Sequence, residues 1–254
     1  MKTKFIYIIA ALLISFQAIS QINRTTETKV ADILAQMPTD DLKHRDRVMA
    51  EMVTLGEKGL QLFTDGVIPP GTGDDTAVRF ALNGLVRYAS AFGKDEEKAI
   101  TEAALIKALT KASDKEVKAF FIHQLKLVAE DNSVEVVNEY LKDERLGAPA
   151  VQLLLTVASS TAERQLMNAL SSAQGENKVA IVKGLGELKS KKAYSAIAVM
   201  VGSGDSDLQR VTLYAMANIA DLLLTVHLLV PPKPLDINTK AQMLLGHLPY
   251  MLID

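Results

Sequence analysis

The sequence predicts an all-α fold, an α-α superhelix of about five helix pairs after a signal peptide. Three observations point there. Apolar residues recur at helical spacing along most of the chain, and no useful stretch alternates with period two, so helices and no sheet are expected. Glycines fall mostly between apolar runs, and the connectors are short and polar. Aromatics make up only 5% of the 254 residues and Trp is missing. Such Ala- and Leu-rich composition suits helices that approach closely.

The chain opens on a basic start, residues 1–4 (MKTK). An apolar run follows over residues 5–16 (FIYIIAALLISF), and Ala18 and Ser20 occupy the −3 and −1 positions of a cleavage site. This is the layout of a secretory signal. The run is too short for a bilayer span, which needs about 20 residues. Cleavage is expected between Ser20 and Gln21. The mature chain then loses Lys2 and Lys4, becomes more acidic and carries no transmembrane helix. It is expected outside the cytoplasm, periplasmic or secreted.

Along the mature chain, residues 28–37 read as a first helix with Val30, Ile33, Leu34 and Met37 on one face, ended by Pro38. Asp40 and Asp41 offer a cap for a second helix running to Leu55. Gly56 and Gly59 loosen the region before Leu60 and Phe63, and residues 67–75 (VIPPGTGDD) form a loop. The pattern then becomes regular. Val78, Leu82, Leu85, Val86 and Ala89 make one stripe; Ile100, Ala103, Ala104 and Leu109 another; Val117, Phe120, Phe121, Leu125 and Val128 a third. Shorter helices are expected over residues 133–141, 149–159, 162–170, 177–188 and 193–201, and a longer one over 207–220.

The order is helix, turn, helix, repeated. Val78, Val117, Ala150, Val179 and Leu208 mark matching positions in the second helix of each pair, separated by about 29 to 39 residues, the spacing of helical repeats. A lone pair cannot bury its apolar face, whereas stacked pairs can.

Residues 203–221 (SGDSDLQRVTLYAMANIAD) give the repeat its sharpest form. Asp205 and Asp207 form an acidic turn, and Arg210 follows on an apolar-x-x-Arg step. Asp74 and Asp75 with Arg79 repeat that logic, as does Asp114 with Lys118. The segment resembles the second half of a HEAT repeat, of the armadillo-like α-solenoid family, and the resemblance covers residues 39–221. It implies that the acidic turn residue caps a helix and that the basic residue reaches a neighbouring turn. These are stacking roles, not catalytic ones. Residues 65–90, with PPGTGDDTAVRFALNGLVRYAS, are also similar to exported bacterial proteins that carry HEAT repeats ahead of a β-sandwich related to 3-keto-disaccharide hydrolases. Nothing here matches the sandwich, so that kinship implies a chain holding only the repeat half.

Other chemistry is disfavoured. Net charge is −2 and the pI near 6.1, with no basic stripe, so no nucleic-acid partner is expected. Without cysteine there is no disulfide, thiol nucleophile, thiolate metal site or lipid-modified N-terminal cysteine. Residues 69–76 (PPGTGDDT) nearly spell a nucleotide-binding loop, but Asp74 stands where Lys should be and would repel phosphates. The loop reads instead as a connector whose carboxylates cap the next helix. His44, His123, His227 and His247 lie far apart in sequence, against the three or so convergent ligands of a zinc site. The paired carboxylates Asp40-Asp41, Glu96-Glu97, Glu130-Asp131 and Asp143-Glu144 sit at helix ends, where charge is solvated. No Ser lies in a Gly-x-Ser-x-Gly elbow. The sequon Asn23-Arg24-Thr25 carries no meaning in a chain with a bacterial-type export signal. Residues 189–192 (KSKK) close a helix and favour its negative end, with a partner-binding role as the alternative. No catalytic, cofactor or metal residue is therefore expected.

After Asp221 the texture changes. Residues 222–230 (LLLTVHLLV) are apolar on nearly every side, Pro231-Pro232 cannot continue a helix, and residues 248–253 form an apolar cluster. An array should end on a helix with a polar outer face. Residues 222–254 are thus an atypical tail. The codons of residues 231–239, read in a shifted frame, permit AKAAGYKY, a polar, helix-forming string up to a Gly, as a frame slip would produce. The rival is a genuine apolar tail that docks on a partner or lipid.

The expected function is binding or scaffolding without catalysis in the cell envelope, toward a protein, peptide or glycan. The alternative is the truncated N-terminal part of a larger carbohydrate-active envelope protein.

Overall fold

A computed structural model describes the backbone of residues 24–229 and the side chains of residues 24–220. The signal segment with Ser20 and Gln21, and the tail beyond residue 229 with His247, lie outside the described residues. Twelve α-helices and no strand occur among them. They are α1 (Thr26–Leu34), α2 (Leu42–Thr54), α3 (Gly56–Asp65), α4 (Thr76–Ala89), α5 (Asp95–Lys111), α6 (Lys115–Leu125), α7 (Asp131–Val137), α8 (Gly147–Val157), α9 (Ser160–Leu170), α10 (Gly175–Glu187), α11 (Tyr194–Ala198) and α12 (Ser206–Leu229). Single 3-10 turns cover Asn138–Lys142, Lys191–Ala193 and Val199–Gly202. The fold is all-α and superhelical, as the periodicity predicts.

Two compact units divide the chain, one up to Ile181 and one from Val182. In the first, among α1 to α9, each helix packs against the next but one, and most also pack against the next. The odd helices α1, α3, α5, α7 and α9 therefore form one row, and the even helices α2, α4, α6 and α8 a second. The five matching positions read from the sequence fall on α4, α6, α8, α10 and α12. Val78, Val117 and Ala150 are buried in the first unit, whereas Val179 and Leu208 are half-buried.

Two stretches differ from the sequence reading. Gly56 and Gly59 do not loosen the chain; they belong to α3. Gly56 takes φ +64, a left-handed turn that lets α3 start directly where α2 stops. In α5 the buried stripe is Thr101, Glu102, Leu105, Ala108 and Leu109, while Ala103 is exposed and Ile100 and Ala104 are half-buried. The face is rotated because Glu102, only 4% exposed, has partners inside. Its Oε1 accepts from the backbone N–H of Glu130 (2.7 Å) and Ser133 (3.2 Å) and from Ser133 Oγ (2.6 Å). One carboxyl thus closes the first turn of α7, whose N–H groups have no partner within the helix.

The odd row is further laced by ion pairs between neighbouring odd helices: Glu27 with Lys58 at 2.6 Å, Glu57 with Lys107 at 2.8 Å, and Asp65 with Lys111 at 2.7 Å. Lys98 also pairs with Glu130 just ahead of α7. Exposed pairs of this kind add little to stability, because solvent screens the charges and holding the long side chains in place costs entropy. In the second unit, Gly186 of α10 lies against Ala215 of α12; a Cβ there would stand 2.5 Å from Ala215 Cα. Val211, Thr212, Ala215 and Ile219 bury one side of α12. This helix runs on past Asp221 to Leu229, since no helix breaker precedes Pro231.

Candidate functional site

The acidic-basic motif takes a different form at each repeat. At the α3–α4 junction, Asp75 does not cap α4; Asp74 Oδ1 accepts from Thr76 N–H instead, at 2.9 Å. Asp75 turns back to the loop, where Oδ2 accepts from Ile68 N–H at 2.9 Å. Arg79 Nε donates to both Asp75 oxygens at 2.8 Å, and its Nη2 donates to Ile68 O at 2.9 Å. The guanidinium also lies 4.6 Å from the centre of the Phe120 ring on α6. Burial pushes the Asp75 carboxyl up, but the Arg79 and Ile68 hydrogen bonds and the Arg79 charge outweigh it and hold the group below its ordinary value. Loop, α4 and α6 are thereby pinned by one side chain.

At α6, Asp114 does cap, with Oδ1 accepting from Glu116 N–H (2.9 Å) and Val117 N–H (3.0 Å). Lys118 Nζ donates to Tyr140 Oη at 3.0 Å and lies 4.7 Å from that ring. At α8, Asp143 Oδ1 accepts from Arg145 and Leu146 N–H, while Lys115 pairs with Oδ2 at 2.8 Å and holds the carboxyl below its usual range. At α12, Asp205 Oδ1 accepts from Asp207 N–H (2.9 Å) and Leu208 N–H (3.1 Å). Arg210 pairs with Asp207 at 3.0 Å, both well exposed. The eight motif residues therefore act locally, at the starts of α4, α6 and α12, and do not converge on one site.

A concave feature does lie beside them. An open groove of about 340 Å³ runs between the C-terminal ends of α3 and α5 and the first turn of α6. Val67, Pro69, Ala108, Ala112, Val117 and Phe121 supply its apolar lining, and Thr64, Asp65, Lys111, Ser113 and Asp114 its polar rim. Its volume lies in the range of ligand sites. No sequence pattern marked it, because its walls come from three elements and each residue has an ordinary role in its own helix. The sequence marks Asp114 for an acidic turn, Val117 and Phe121 for an apolar stripe and Pro69 for a loop, and nothing in it joins them.

His44 and His123 stay apart: the first contacts Arg47 at 2.7 Å through Nδ1, the second is exposed on α6. Among the described residues no group of three or more His, Asp or Glu is close enough to hold a metal ion, and no helix is long and apolar enough to cross a membrane. Residues 69–76 form an exposed connector closed by Thr72 on Pro69 O and by the Asp74 and Asp75 bonds above.

No protein-family model and no curated protein matches the chain. Among solved structures, the crystal structure of an engineered protein from the Northeast Structural Genomics Consortium is similar over 76% of this chain and 96% of its own, at 17% identity and a TM-score of 0.42. A likeness that slight carries no argument.

Proposed function

We propose that the chain is an exported, non-catalytic helical-repeat protein that binds a protein, peptide or glycan in the cell envelope. In this reading residues 1–20 are the signal peptide, residues 21–221 a HEAT-like repeat domain and residues 222–254 a tail outside it. What supports it is the employment of the motif's charges. Asp75, Arg79, Asp114 and Lys118 fix turns and neighbouring helices, which is the work of a scaffold, while the groove beside them stays open. Expression of the full chain in a Gram-negative host, followed by fractionation and N-terminal sequencing, tests the export half. A mature N-terminus at Gln21 in the periplasm or medium is expected; an uncleaved chain in the cytoplasm refutes it.

The second reading, the repeat half of a carbohydrate-active envelope protein, draws on the similarity of residues 65–90 and on the change of texture after Asp221. Sequencing the DNA past the Asp221 codon separates the two. An open shifted frame encoding further repeats and a β-sandwich favours the second; shifted frames that close at once leave the first.

A further inference from the structure

We infer that the groove between α3, α5 and α6 is a docking site for an extended peptide segment of a partner, which inserts a lysine side chain between flanking apolar residues. The inference rests on the reading of this chain as a binding module and names what that module takes.

Charge sets the chemistry. Two helix C-termini, those of α3 and α5, form the groove wall, and each carries the negative end of its peptide dipoles. Of the lining residues at the end of α5, Lys111 has a backbone carbonyl that accepts no hydrogen bond. Asp65 and Asp114 add two rim carboxylates, each with one oxygen engaged and Oδ2 without a partner. The single positive helix end in the groove, that of α6, is already answered by Asp114. Lys111 is the one cation of the lining. Its ammonium is held by Asp65 Oδ1 at 2.7 Å, and its side chain is 59% exposed. It can leave at little cost. The groove therefore already contains a lysine ammonium against a carboxylate, and an incoming lysine replaces it while its methylenes lie along Val67, Pro69 and Ala112.

Shape separates a peptide from a small amine. Small-molecule sites enclose most of their ligand, whereas this groove is open to solvent along its length. A segment crossing it finds apolar contacts on both sides of the ammonium.

The test uses the mature chain and the peptide acetyl-Ala-Leu-Lys-Leu-Ala-amide, followed by amide chemical-shift titration. Shifts confined to residues 64–69 and 108–117 are expected. Replacing the peptide's lysine with norleucine, which removes only the ammonium, is expected to weaken binding at least about tenfold. Ala112→Trp, which fills the groove, abolishes binding. Lys111→Ala, at an exposed position that leaves the fold intact, removes the internal competitor and tightens binding about threefold. Equal affinity for the norleucine peptide, equal affinity for a glutamate replacement, shifts scattered over the surface, or a Lys111→Ala variant that binds more weakly would each overturn the proposal. Butylamine binding as tightly as the peptide would assign the groove to a free amine and overturn the peptide assignment. Export of the chain is measured separately, so loss of one reading leaves the other readable.

Discussion

The α3–α4 junction and the start of α12 are spelled alike and built differently. Both present two aspartates within a turn and an arginine on the first helical turn, Asp74, Asp75 and Arg79 in one case and Asp205, Asp207 and Arg210 in the other. At the junction a long loop returns past the helix, so Asp75 and Arg79 find backbone partners at Ile68 and a ring at Phe120. At α12 the connector is short. Asp205 caps the helix, and Arg210 finds only Asp207, three residues away in solvent. A charged motif records a possibility; the length of the preceding loop and the nearness of another helix decide whether it becomes a clamp or a cap.

That contrast can be broken from both sides, and urea midpoints are the measure throughout. Arg79→Ala should be the most damaging change, at about 2 to 3 kcal/mol, because it removes a part-buried ion pair, strands Ile68 O and uncovers Phe120. Arg79→Lys should recover less than half of that loss, since an ammonium cannot reach Asp75, Ile68 and the ring together. Asp75→Asn comes next, at about 1 to 2 kcal/mol, by leaving Arg79 without its counter-charge. Asp205→Ala should cost about 1 kcal/mol, the usual loss of a cap. Arg210→Ala should leave the midpoint where it is, both partners being solvated; a loss as large as that of Arg79→Ala would erase the distinction between the two sites.

Acid sharpens the same contrast. The Asp75 carboxyl ionises at lower pH in the folded chain than in the unfolded one. Its contribution is therefore complete above the unfolded value, near pH 4, and is lost as pH falls through the folded value. The penalty of Asp75→Asn should be full at pH 7 and should shrink below pH 4. A penalty that is flat across this range would mean that shape, not charge, is what Asp75 supplies.

Much of the fold was legible because helix is a local property. Val78, Leu82, Leu85, Val86 and Ala89 repeat at helical spacing, and all five are buried. α5 was misread by the same rule. Glu102 looks like a surface residue and lies inside, because the donors that satisfy it are 28 and 31 residues further on. A pattern rule cannot see a partner at that distance. α3 was obscured by two glycines, whose destabilising tendency in helices was overridden by packing of Leu60 and Phe63, both essentially fully buried. The groove had no signature for a third reason. Asp65, Lys111 and Asp114 each have a sufficient local explanation as helix-end charges, and only their meeting is new.

What the sequence determined by itself is the class of fold and the alternation of its helices. Both follow from apolar spacing and from connectors that, the α3–α4 loop excepted, are short and polar. What the tertiary structure decided is which polar groups face one another. Asp75 clamps where Asp114 caps, Glu102 closes a helix distant in sequence, and three helix ends frame an open groove. Local spacing fixes which way a side chain points around its own helix axis, whereas its partner is set by how far the chain travels before it returns.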